Sequence, residues 1–115
     1  MPARPYTLFM LLKATTRWLA LEAEQRHALA DDAMAEIYNR FPSVRLRFFN
    51  AGAFHGRCSD VLVWHTTDLP EYRAAADTLR ANPFLSEAHF DVLDVIPSVP
   101  DDWREYEWNG GQAWA

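Results

Sequence analysis

Strand-like and helix-like stretches alternate along this chain in the order β-α-β-β-α-β, and few architectures accept that order in 115 residues. Apolar, strand-like runs fall at residues 6–12, 44–49, 61–64 and 90–96. A long helical pattern separates the first two, and a shorter one separates the last two. The order predicts an α+β domain with a four-stranded antiparallel sheet. Its helices cover one face of that sheet, and residues on the other face decide what the domain can do.

The first run is apolar at every position from Leu8 to Leu12. Successive side chains of a strand point to opposite faces, so this strand is greasy on both and belongs in the middle of the sheet. The first helix is predicted over residues 22–41. Leu29, Ala30, Ala33, Met34, Ile37, Tyr38 and Phe41 recur there at three- and four-residue spacing, and Pro42 stops it. The second starts at Asp68, with Pro70 in its first turn and Glu71 placed as in a capping box. Tyr72, Ala75, Ala76 and Leu79 form its buried stripe, and Asn82-Pro83 ends it. Pro97 closes the last strand. Residues 1–97 thus form a ferredoxin-like domain, and residues 98–115 an acidic, aromatic tail expected to dock through Trp103 and Tyr106.

Strand 2 alternates cleanly, with Val44, Leu46 and Phe48 facing one way and Arg45, Arg47 and Phe49 the other. Strand 3, residues 60–66, returns after a loop with two glycines. If Val61 and Val63 join Val44 and Leu46 under the helices, then Asp60, Leu62 and Trp64 share the free face with Arg45 and Arg47. A shift of one residue undoes that grouping.

Composition narrows the function classes. A net charge of −5 argues against a nucleic-acid partner, which needs a basic surface. Cys58 is the sole cysteine, so neither a disulfide within the chain nor a cysteine metal cage forms, and a buried structural thiol is expected. His27, His55, His65 and His89 show no metal-ligand spacing, so no metal site is expected. No glycine-rich phosphate loop, serine elbow or dinucleotide fingerprint occurs, and no cofactor is expected. The run at residues 8–12 is far shorter than the roughly 20 residues of a membrane span. The expectation is a cytoplasmic protein with no membrane partner.

The candidate ligand-binding residues are Arg47, His55, Asp60 and Trp64. Arg47 offers a guanidinium for an anionic or enolate oxygen. His55, in a Phe-His-Gly loop, is the candidate acid, base or donor, set against the plainer reading of a loop side chain without a role. Arg45 and Arg47 could equally be satisfied by Asp60 and Asp91. Trp64 and Trp18 are apolar platforms, or simply packing residues.

Several stretches together carry a resemblance. They are Tyr6-Thr7-Leu8-Phe9-Met10-Leu11-Leu12-Lys13-Ala14-Thr15, Trp18-Leu19-Ala20-Leu21, Ala53-Phe54-His55-Gly56 with Ser59-Asp60, and Thr66-Thr67-Asp68-Leu69 before Tyr72. In these the chain resembles the darcynin family of small bacterial proteins over roughly residues 6–96. The resemblance brings no activity and no catalytic residue; it marks Trp18, Phe54, His55, Gly56 and Asp60 for attention. More distantly, the layout is similar to the dimeric α/β-barrel proteins. In these, two ferredoxin-like sheets face each other around a pocket. That group holds cofactor-independent monooxygenases, haem-handling enzymes and proteins without known chemistry.

Two functional readings follow. In the first, the chain is a homodimer that binds a small apolar or anionic ligand on the free sheet face, with an enzyme of the monooxygenase or isomerase kind as one form of it. Phe9, Leu11, Arg47, Phe49, Leu62, Trp64 and His89 would then line the face. In the second, the chain is a non-catalytic interaction module whose free face is a dimer or partner interface.

Overall fold

The structure, a computed structural model, describes residues 4–100. Its elements run β1 (Tyr6–Ala14), α1 (Thr16–Leu19), α2 (Ala23–Arg40), β2 (Val44–Asn50), β3 (Asp60–Thr66), α3 (Leu69–Ala81), α4 (Pro83–Ser86) and β4 (Phe90–Ser98). The strands form one antiparallel sheet in the order β2-β3-β1-β4, the ferredoxin-like arrangement. The short helices α1 and α4 add to the expected pattern, and β4 runs one residue past Pro97. Proline is tolerated there because β4 is an edge strand, where a missing N–H breaks no inner ladder. The tail expectation, with Trp103 and Tyr106, falls outside the described residues.

α2 begins where Glu22 and Gln25 cap each other, the Glu22 amide donating to Gln25 Oε1 at 2.9 Å. It buries Ala33 and Ile37 fully, with Leu29, Ala30 and Met34 beside them. Tyr38 leaves the expected stripe: it is exposed, and its hydroxyl donates to the Leu46 carbonyl at 3.3 Å. α3 starts as expected, with the Asp68 carboxylate accepting from the Glu71 amide at 3.0 Å, and buries Ala75, Ala76 and Leu79.

Asn82 joins three elements. Its amide closes α3, its Oδ1 accepts from the Phe84 amide at 2.9 Å to start α4, and its Nδ2 donates to Glu36 on α2 at 2.9 Å. That turn drives Phe84 into the core, where it stacks on Phe48 and meets Trp18 edge-on. His89 is buried against this joint, its Nδ1 donating to the Pro83 carbonyl at 2.9 Å. Trp18 packs on Phe84, His89 and Phe90, so it is a partly buried packing residue against the core.

The strand register corrects one expectation. β1 sends Leu8, Met10, Leu12 and Ala14 under the helices. Leu8 pairs with Trp64, Met10 with Leu62, and Leu12 with Asp60, so these β3 residues share the helix side. Leu46 and Phe48 pair with the same Trp64 and Leu62 from the other flank. Val61, Val63 and His65 therefore take the free face, the reverse of the expected grouping. The cause is that Val61-Leu62-Val63-Trp64 is apolar at every position, so alternation carries no face signal. The loop of residues 51–59 is also too long for a turn type to impose register. The indole, the largest of the four side chains, fills the thicker layer and is fully buried beside Tyr72.

Candidate functional site

The free face is a grid of cross-strand rows. The first row reads Arg45, His65, Thr7 and Ser98; the second Arg47, Val63, Phe9 and Ile96; the third Phe49, Val61, Leu11 and Asp94. Lys13 and Asp91 pair at the far end of β1 and β4. The middle of the grid is apolar, because Phe9, Leu11, Val61 and Val63 meet there. Its β2 margin is cationic. The Arg47 guanidinium lies over the Phe49 ring, 4.9 Å from its centroid, a cation–π contact that holds the charge along the face. Among the described residues the ion pairs are Arg17–Glu87 and Arg40–Glu36, so neither Arg45 nor Arg47 is paired by Asp60 or Asp91 there.

The four residues expected to border one pocket do not converge. Arg47 is on the free face as expected. Trp64 and Asp60 are on the helix side, and Leu62 goes with them. His89 also leaves the free face for the α4 joint. Asp60 receives a hydrogen bond from Ser59 Oγ at 2.7 Å. Half-burial raises its carboxyl above the ordinary aspartate range, and the Ser59 hydroxyl pulls in the opposite direction.

His55 is held by its own loop. The Cys58 and Arg57 amides donate to its Nδ1 at 2.9 and 3.2 Å, so in this arrangement Nδ1 is an acceptor and the ring proton sits on Nε2. The lone pair that a general base would use is thereby engaged. Beside it Phe54 stands almost wholly in solvent, 91% exposed. Cys58 is buried, as its sequence context suggests, with Sγ donating to the Asp60 carbonyl at 3.2 Å.

A cavity of about 200 Å³ opens at the end of the first row. Pro5, Tyr6, Thr7, Ser43, Arg45, His65, Thr66 and Thr67 line it. The Thr7 hydroxyl and His65 Nδ1 lie 3.2 Å apart. A larger one of about 700 Å³ lies between α2 and α3; it is a polar groove whose Glu36 is already engaged by Arg40 and Asn82. The third, about 560 Å³, runs between α3 and Val95 of β4. His65 and Thr7 escaped attention in the sequence because only the register brings them beside Arg45; the alternation of β2 was the one available signal.

The sequence profile described as "Darcynin, domain of unknown function" matches residues 2–112. The chain belongs to the Darcynin family. The family match extends past Pro97 into the tail, beyond the stretch that the short motifs cover. A Darcynin from Chromobacterium violaceum is 43% identical over 74 residues, 64% of this chain and 94% of the relative. Darcynin 1 from Acinetobacter baumannii is 32% identical over 89 residues, 77% of this chain and 99% of the relative. Among solved structures, the fold is similar to chlorite dismutase from Candidatus Nitrospira defluvii in complex with imidazole. There the TM-score is 0.72 at 10% identity, covering 88% of this chain and 42% of that one. It is also similar to a structure from Thermus thermophilus described as a novel heme-binding protein, with a TM-score of 0.71 at 13% identity, covering 96% of this chain and 46% of that one. The chain thus spans less than half the length of these solved neighbours, and at such identity the likeness concerns the fold. Among the described residues, no helix is long and apolar enough to cross a membrane.

Proposed function

We propose that this protein binds a small molecule on the free face of its sheet, between two copies of itself. One observation carries the reading: an apolar block of Phe9, Leu11, Val61 and Val63, edged by Arg45, Arg47 and His65, lies opposite the face on which the helices form the core. An apolar wall with a few placed polar groups is the usual make-up of a ligand site. In a dimeric α/β barrel a second sheet closes over such a wall. The neighbours' chains, more than twice as long as the matched stretch, leave room for a second layer within one chain. A catalytic role for His55 has less support, since its Nδ1 is taken up by two backbone amides. Haem does not fit the cavity beside Arg45, whose volume of about 200 Å³ falls below the range of about 300–1,000 Å³ that takes drug-sized ligands.

The interaction-module reading keeps one specific support. None of the three cavities described above is lined by Arg47, His55 or Trp64, while Phe49 and Ile96 stay 43% and 44% exposed on the same face. Light scattering on the full chain at micromolar concentration tests the pairing. Twice the chain mass is expected, falling to a single mass in Phe9→Asp with the far-ultraviolet spectrum retained. A monomeric wild-type protein overturns the paired-sheet reading.

A further inference from the structure

We infer that the cavity at the end of the first row is a site for a small organic carboxylate, with Arg45 as its anchor. Three kinds of donor converge there, two on neighbouring strands and one just past the end of β3. Arg45 on β2 supplies a planar fork of N–H groups that matches a carboxylate. His65, its direct cross-strand partner on β3, supplies an imidazole. When the Thr7 hydroxyl donates to His65 Nδ1, across their 3.2 Å separation, the ring proton is left on Nε2 as a further donor. Thr67 adds a hydroxyl to the wall.

Other neighbours limit what the site takes. Ser43 is spent: its hydroxyl and amide both donate to Glu71, at 2.5 and 3.3 Å. That carboxylate, just behind the wall, raises the cost of a highly charged ligand and favours a monoanion. The Thr66 hydroxyl is likewise taken up by the Asp68 backbone, which leaves Pro5 and Tyr6 as the apolar part of the wall. The volume, about 200 Å³, suits a ligand smaller than drug-sized compounds. An aryl or short aliphatic monocarboxylate satisfies all of these: a flat, singly charged head for Arg45 and a compact apolar body for Pro5 and Tyr6. Arg57, exposed in the loop of residues 51–59 and outside the cavity, serves as an internal control.

The test is a proton–nitrogen NMR titration of the full-length protein with sodium benzoate, run beside inorganic phosphate and a sodium chloride control of equal ionic strength. Saturable shifts confined to Thr7, Arg45, His65 and Thr67 are expected with benzoate. Arg45→Gln should weaken the apparent affinity about tenfold or more, as loss of a charge-assisted hydrogen bond does, whereas Arg57→Gln stays within about threefold. If Arg45→Gln does not fold, Arg45→Lys keeps the charge and loses the fork, and should still bind more weakly than wild type. The inference is overturned by shifts that do not saturate, by sodium chloride reproducing them, or by Arg57→Gln losing as much as Arg45→Gln. Phosphate saturating the same residues in place of benzoate overturns the carboxylate assignment. The cavity is complete within one copy, so a monomeric mass in light scattering would remove the paired-sheet reading and leave this expectation standing.

Discussion

The two faces of this sheet are built from the same strands and behave as different materials. On the helix side, the rows Leu46–Trp64–Leu8 and Phe48–Leu62–Met10 are closed over by α2, α3 and α4. On the other side, the rows Arg47–Val63–Phe9–Ile96 and Phe49–Val61–Leu11–Asp94 have apolar centres and one charged end each, and Phe49 and Ile96 remain open to solvent. β3 shows the contrast within four residues: Val61 and Val63 face out, Leu62 and Trp64 face in, and all four are apolar. What distinguishes them is the layer above. A face under helices uses its side chains for folding, and a face without them has apolar surface left for a ligand or a second chain.

The sharpest way to break that contrast is to truncate one residue on each face. Trp64→Ala should lower the unfolding free energy by about 3–5 kcal/mol in denaturant titration, the range for emptying a large aromatic core site. Phe9→Ala, measured on a monomeric background, should cost less than half as much, because the free-face ring is only partly buried. Equal losses would mean that the two faces are equally part of the core.

A second variant isolates the polar joint of the helix side. Asn82→Ala removes the side-chain cap of α4 and takes from Glu36 one of its two partners, leaving Arg40, so a loss of about 2 kcal/mol is expected by thermal unfolding. A loss under about 0.5 kcal/mol would show that the joint is held by packing alone.

Trp64 also contains a weakness. Its Nε1 is buried without a hydrogen-bond partner among the described residues. An unsatisfied buried donor costs about 1–3 kcal/mol, so Trp64→Phe, which deletes it, should offset much of the lost ring volume. The expected net change is within about 1.5 kcal/mol of wild type, well short of the alanine variant. A loss as large as that of Trp64→Ala would show that the indole finds a partner.

The smallest effect concerns Asp60, the acid at the edge of the helix side. Its folded-state pKa lies above the unfolded value of about 3.9, so the folded protein holds this proton more tightly. Stability from this group is therefore greatest below the unfolded pKa and falls as pH rises through the folded one. Asp60→Asn keeps an acceptor for Ser59 Oγ and removes the ionisation. It should be slightly more stable than wild type at pH 7, and the difference should vanish near pH 3. A difference independent of pH would sink the argument.

Much of the architecture was legible because it is local. The helical stripe through Ala33 and Ile37, the stop at Pro42, the cap at Asp68 and the alternation of Val44, Leu46 and Phe48 each depend on residues a few positions apart. Together they imposed the element order, and with it the antiparallel ferredoxin-like sheet. The two-sided greasiness of β1 likewise marked it as central, and the buried Cys58 needed no partner to be foreseen.

The candidate site was legible only on β2. Arg45 and Arg47 declared their face through the apolar residues between them. His65 and Thr7 did not, since their strands are apolar on both faces and their nearness to Arg45 spans 20 and 38 residues of sequence. Which residues form helices and strands, and in what order, is written in short-range pattern, where propensity, capping and periodicity act. Which face of β3 meets the helices was decided by the tertiary fold, through the fit of one indole and the pairing of three strands at once. Register is a property of pairs, and a strand that is apolar throughout carries no record of its partner's alignment.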